Sequence, residues 1–360
     1  MYQLLFLVHG VGCGERPASD PNWWTDVLAS LKASAKPYTH NADFVTSAPK
    51  AGQVLVVPLT YHDIFDGVRK DWRAQSQSET GWMPILKQLV PALSAELPSL
   101  AAAAGDFFWT HVLDVLLYRF VADYTTPIRD KVALDVATAW HKADLDNGAR
   151  TPVHFVAHSL GTVVMHDALA KLAAEPGFGA GTHRIESILT LANVSSVLEN
   201  GNPAYKSVDR PLFAAPPPRG ITAAYISIRH ELDPIAAVKT FRGDENGWPP
   251  TGYQDDVLVD LKKWDPHGYT HYLDNPDAHL RLFQRLWPAE AWNDRWDDAV
   301  VRYRNAPGVA CPSALAQLRA DMRAILQQPR PDSATGLLDA VAKAIGAIET
   351  ARTACAAEQP

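Results

Sequence analysis

Val153-His154-Phe155-Val156-Ala157-His158-Ser159-Leu160-Gly161 carries a strand-like apolar run straight into a helix-like one, with a serine at the join. A small-x-Ser-x-Gly turn between strand and helix is a nucleophile elbow. The serine sits on a bend so sharp that residues two before and two after it must be small, and Ala157 and Gly161 meet that demand. The bend aims the hydroxyl away from the strand. It also sets the Leu160 N–H at the start of a helix, where developing negative charge is stabilised. The chemistry this predicts is attack by Ser159 on an electrophilic carbon through a covalent intermediate, with Leu160 as one oxyanion donor. The same letters also describe a serine that merely caps a helix, so the remaining groups must be found elsewhere in the chain.

A second donor and two partners are needed. Val8-His9-Gly10-Val11-Gly12 follows the first apolar run, and Val11 is the residue we assign as second oxyanion donor, with the glycines letting the backbone approach the reacting group. The order nucleophile, acid, histidine then directs attention downstream. His230-Glu231-Leu232-Asp233-Pro234 follows a strand-like run, which puts Asp233 first and Glu231 second as the acid that orients the base. The base lies among His267, His271 and His279. His279 falls inside a helical pattern. Of the two in Trp264-Asp265-Pro266-His267-Gly268-Tyr269-Thr270-His271-Tyr272, we place the base at His271, with His267 as the alternative. Thirteen histidines show no His-Glu-x-x-His and no zinc-type Cys–His spacing, so neither metal nor cofactor is expected. Cys13 reads as a loop thiol.

Positioning these groups requires alternating strands and helices. Short apolar runs at Gln3–Val8, Val54–Thr60, Val153–Ala157, Ile185–Ala192 and Ala223–Arg229 read as strands covered on both faces, as in a parallel sheet. Between them, Asn22–Ala35 is helical. So are the stretches in which Ile128, Val132, Val136, Trp140 and Ala143, and then Leu160, Val164, Ala168 and Leu172, recur every three or four residues. The fold class is therefore α/β. Two stretches break the alternation. Residues 62–125 form an insertion whose segment Asp106–Tyr124 is apolar around most of its circumference, predicting either a lid over the site or a buried core helix. Residues 291–360 predict a C-terminal helical hairpin, with Leu315, Leu318, Met322 and Ile325 on one helix, Leu338, Val341, Ile345 and Ile348 on the next, and Pro329-Arg330-Pro331 between them. That geometry brings Cys311 and Cys355 to one end, as a disulfide or as two free thiols.

The quoted segments together resemble serine esterases and lipases of the α/β-hydrolase superfamily, and within it bacterial lipase-like proteins akin to the GPI-inositol-deacylase group. LFLVHGVG, VHFVAHSLGTVVMHDAL, ISIRHELDP and GYTHYLDNP carry the resemblance over residues 1–290. It implies an α/β-hydrolase fold and metal-free hydrolysis of carboxyl esters through an acyl-enzyme, with Ser159, Asp233 and His271 as nucleophile, acid and base. Amidase or thioesterase action by the same triad, or a binding protein that keeps the fold without catalysis, are the rival readings. Ala157 stands at the first elbow glycine, and Leu191-Ala192-Asn193-Val194 stands where relatives commonly read Leu-Gly-Ser-Pro.

Composition narrows the setting. With 33 basic against 40 acidic residues the chain carries a net charge of −7, which argues against nucleic acid as partner. The 360 residues contain no apolar run long enough to span a membrane, and the apolar start has no basic segment before it, so cytoplasm is the default expectation. The expected partner is a small or lipid-like ester; oligomeric state is not legible.

Overall fold

The computed structural model describes residues 1–10, 22–39, 43–64, 118, 122–175, 178, 183–198, 221–241, 252–293, 296–328 and 334–358. Seven strands form one parallel sheet: β1 (Gln3–Val8), β2 (Phe44–Val45), β3 (Val54–Leu59), β4 (Val153–His158), β5 (Ile185–Leu191), β6 (Tyr225–His230) and β7 (Tyr253–Leu258), in the order β2-β3-β1-β4-β5-β6-β7. The register is direct, with Phe6 beside Val57 on one side and Phe155 on the other. The central strands are largely apolar and almost entirely buried because both faces are covered. Along β1, Leu4, Phe6 and Val8 enter one core while Leu5 and Leu7 enter the other, as period-two alternation requires.

Helices α1 (Trp24–Ala35), α4 (Tyr269–Asp274) and α5 (Pro276–Leu286) cover one face. Helices α2 (Ala122–Asn147) and α3 (Leu160–Ala174) cover the other. The expected stripe Ile128, Val132, Val136, Trp140 and Ala143 is buried on α2, and Leu160, Val164, Ala168 and Leu172 on α3. Full burial of side chains of this size stabilises by about 1.5–3 kcal/mol each, which anchors both helices to the sheet. The chain leaves β1 toward α1 on one face and leaves β4 toward α3 on the other. The carboxyl ends of these neighbouring strands therefore open a crevice, the usual ligand position in such sheets.

Helix α6 (Trp296–Asn305) is followed by α7 (Pro312–Leu326) and α8 (Ala334–Glu358). A third cluster joins Leu318 and Met322 of α7 to Ala344, Ile348 and Ala351 of α8, and to Leu232, Ala237 and Leu261 of the main domain. Val341 and Ile345 of α8 enter the core on the α2–α3 side. Cys311 and Cys355 form a disulfide with Cα atoms 5.3 Å apart. Among the described residues no helix is long and apolar enough to cross a membrane. Most of the 62–125 insertion lies outside the described residues, including nearly all of Asp106–Tyr124. Tyr118 within it is buried and donates to Asp167 Oδ2 at 2.7 Å.

Two strands went unread in the sequence. Both lie at sheet edges. β7 reads Tyr-Gln-Asp-Asp-Val-Leu and is largely exposed, and β2 has two residues. An edge strand needs no apolar face on both sides, so a search for apolar runs passes over it.

Candidate active site

Ser159 occupies the join of β4 and α3 with φ of 52° and ψ of −129°. Positive φ on a non-glycine residue is strained, and it persists only where the surroundings enforce it. Here the Ser159 N–H donates to Leu191 O at 3.0 Å, while its carbonyl accepts from Thr162 N at 2.9 Å and Thr162 Oγ1 at 2.7 Å. A Cβ on Gly161 would lie 2.5 Å from Val8 O and 2.7 Å from the His9 carbonyl carbon, so the small residue after the serine is demanded by the end of β1. Ala192 also has a positive φ of 50°. It holds the turn whose preceding carbonyl grips Ser159.

The partner of Ser159 is His267. Its Nε2 lies 2.9 Å from Ser159 Oγ and its Nδ1 lies 2.8 Å from Asp233 Oδ2. This corrects the placement of the base at His271. His271 is the third residue of α4, a short helix that begins right after Gly268, whereas His267 sits on the turn before it. The His271 ring packs against His230 at 5.3 Å, and its buried Nε2 has no hydrogen-bond partner among the described residues. Tyr269–Asp274 are helical. These six residues turn His271 away from the serine. His279, on α5, bonds Leu273 O and Tyr38 and is remote from this trio.

Asp233, not Glu231, is the carboxylate that meets the histidine. Glu231 accepts from Arg319 Nε of α7 at 2.6 Å. Asp233 is fully buried, and its two oxygens receive four donors. Oδ1 takes the N–H groups of Ile235 and Ala236, both at 2.9 Å, and Oδ2 takes His267 Nδ1 and the Tyr272 hydroxyl, both at 2.8 Å. Burial pushes its pKa up, but the charge and hydrogen bond of His267, then the Ala236 and Ile235 amides, outweigh it and bring it down to about 2. Burial likewise opposes the charged form of His267. The Asp233 carboxylate, by charge and hydrogen bond, and then Asp265 prevail and raise it above 6.5.

Leu160 opens α3 as expected, with its N–H beside Gly10: a Cβ built on Gly10 would be 2.9 Å from Leu160 N. Val11 lies outside the described residues. His9 is fixed by packing as well as by bonding. Its ring meets Trp23 edge-on at 4.4 Å, and its carbonyl accepts from the Tyr61 hydroxyl. Three contributors went unread in the sequence: Tyr61, Tyr272 and His158. His158 Nε2 donates to His267 O at 2.6 Å, and the His158 ring stacks on Tyr269 at 4.9 Å, tying the end of β4 to the histidine turn. Its place beside the serine was the one local signal. Ser159 and His267 are 2% and 3% exposed, so the reacting groups are largely withdrawn from solvent.

Comparison of the chain with protein-family models, curated proteins and solved structures finds no match. The chemistry of the site is accordingly read from its geometry. A serine hydroxyl, an imidazole and a buried carboxylate in one hydrogen-bonded line make a relay that can remove the serine proton and return it to a leaving group. Among the described residues no group of three or more His, Cys, Asp or Glu is placed to share a metal ion.

Proposed function

We propose that the chain is a serine hydrolase of the α/β-hydrolase type that cleaves carboxyl esters through an acyl-enzyme. The observation that carries this reading is the continuous line from Ser159 Oγ to His267 Nε2 at 2.9 Å and from His267 Nδ1 to Asp233 Oδ2 at 2.8 Å, launched from a strained elbow. The strand order and the acid after β6 accord with that fold, and the resemblance of LFLVHGVG and VHFVAHSLG supports it.

In this mechanism His267 Nε2 takes the Ser159 proton as Oγ bonds to the ester carbon. The carbonyl oxygen becomes an oxyanion facing the Leu160 N–H, with Val11 N–H as the second proposed donor. Asp233 stabilises the imidazolium that forms. Collapse expels the alcohol, which receives the proton from His267 and leaves an acyl group on Ser159. Water, deprotonated by the same imidazole, then attacks the acyl carbon, and the carboxylic acid departs as Ser159 regains its proton. No cofactor enters any step.

The test is hydrolysis of p-nitrophenyl esters together with covalent labelling by a fluorophosphonate probe. The native chain should turn over the esters and take the label on Ser159, and Ser159→Ala should abolish both. Absence of labelling on the native chain would favour a non-catalytic binding protein. Rates on matched ester, thioester and amide substrates separate an esterase from a thioesterase or amidase, and a series of acyl lengths with and without a lipid surface defines the acyl preference.

A further inference from the structure

The fourth donor on Asp233 is unaccounted for by a three-residue relay. The Tyr272 hydroxyl lies 2.8 Å from Asp233 Oδ2, the same oxygen that His267 uses. The direction of its proton is settled by its other contact. The His230 backbone N–H points at the Tyr272 oxygen from 2.9 Å, so that oxygen accepts there and donates its own hydrogen to Asp233. Tyr272 is buried without exposed area, and α4 and the end of β6 hold it in place.

We infer that Tyr272 is a positioning residue of this site: by donating to Oδ2 it holds the Asp233 carboxylate in line and shares the negative charge on which His267 draws, thereby setting how tightly His267 keeps a proton. This rests on the hydrolase reading only for its consequence in catalysis; the hydrogen-bond competition itself does not. A carboxylate oxygen with two donors offers less to each than an oxygen with one. Without the phenol, the imidazolium gains a stronger partner, so a larger share of His267 stays protonated near neutral pH and cannot accept the serine proton.

Among the described residues, further ionisable groups face the trio. His158 faces it from β4, its ring 5.0 Å from His267 and 6.1 Å from Tyr272. His271 on α4 lies 6.4 Å from the Tyr272 ring, and His230 at the end of β6 lies 5.3 Å from His271. Asp265 on the histidine turn and Arg229 on β6 act on His267 and Tyr272 by charge. None of these bonds Asp233 Oδ2, so the phenol's donation reaches His267 through that oxygen.

The experiment is Tyr272→Phe, with titration of the His267 ring followed by NMR and the fluorophosphonate labelling rate measured against pH. The expected result is an upward move of about half to one pH unit in both the ring titration and the acid limb of labelling. A purely structural role would lower the labelling rate at every pH and leave the limb in place, and that result would overturn the inference. Phenylalanine also removes the acceptor of the His230 N–H and so risks unfolding. Site-specific replacement of Tyr272 by 3-fluorotyrosine keeps the shape and the acceptor and makes a stronger donor. It should move both curves down, and no move or an upward one rejects the role. NMR titration needs no turnover, so a chain that hydrolyses nothing would defeat the proposed function while leaving this measurement decisive.

Discussion

Gly10 lies directly against Ser159: a Cβ at residue 10 would stand 2.5 Å from the serine Cβ and 2.9 Å from both His158 O and Leu160 N. Neither backbone atom can swing aside as a side-chain tip can. Gly10→Ala should therefore push the nucleophile and the Leu160 donor out of line. The expected loss in the labelling rate is about 10²-fold or more, in keeping with misplacement of a reacting group by about 1 Å. A rate within about threefold of the native chain, measured on folded protein, would contradict the close approach.

Two histidines four residues apart should behave oppositely. His267→Ala removes the imidazole bonded to Ser159 Oγ, and ester hydrolysis should fall by about 10⁴-fold. His271→Ala removes a buried ring that packs on His230, so it should lower the melting temperature while leaving kcat within about tenfold. Steady-state kinetics and thermal melts on both variants make the comparison, and a reversal of the two effects would restore His271 as the base.

Activity and stability should respond differently to acid. Ester hydrolysis needs unprotonated His267, whose pKa is raised above 6.5, so kcat/KM should climb with pH through an inflection above 6.5.

Stability has more contributors. His154, His230 and His279 are buried and neutral, with burial the first cause in each case, and their pKa values are lowered to about 3, 4 and 4. Because these folded values lie below the unfolded 6.5, the stability tied to them is full above 6.5 and is lost as pH falls toward the folded values. Each pH unit in that window costs about 1.4 kcal/mol per histidine. Asp233, lowered to about 2, adds a loss beginning near 3.8. His267 has the opposite sign: its contribution is complete below 6.5 and fades as pH rises through its raised value. His183 and His271 are shifted the same way, burial again first, so against His267 alone the melting temperature should drop from pH 6.5 to 4. His279→Gln should flatten that drop, which a melt series at fixed ionic strength would check.

The disulfide between Cys311 and Cys355 closes a loop with a sequence separation of 44. Loop-closure entropy for that length corresponds to about 4 kcal/mol. Cys311→Ser together with Cys355→Ser should lower the melting temperature and weaken amide-exchange protection in α7 and α8. The effect should reach the acid, since Leu232 packs in the same cluster and Arg319 holds Glu231. Thiol labelling of the native chain before and after reduction checks the bond directly, and equal labelling would refute it. A bonded pair also weighs against the cytoplasmic default, because disulfides persist in oxidising compartments.

The strands with apolar side chains on both faces, the stripe from Ile128 to Ala143 on α2 and the serine on its elbow were all legible in the sequence, because each is encoded by neighbours a few residues apart. Periodicity and the size limit at Ala157 and Gly161 are local facts, and Asp233 followed from its position after a strand. The edge strand β7, the pairing of Glu231 with Arg319, and the choice between His267 and His271 were decided only in three dimensions. That last choice turned on four residues and one short helix. Successive residues on a helix point about 100° apart, so the start of α4 at Tyr269 sends Tyr272 to the carboxylate and His271 to His230, and leaves His267 on the turn that faces the serine. No pattern of residue types carries that direction, because it depends on where a helix begins against a sheet assembled from segments more than a hundred residues away.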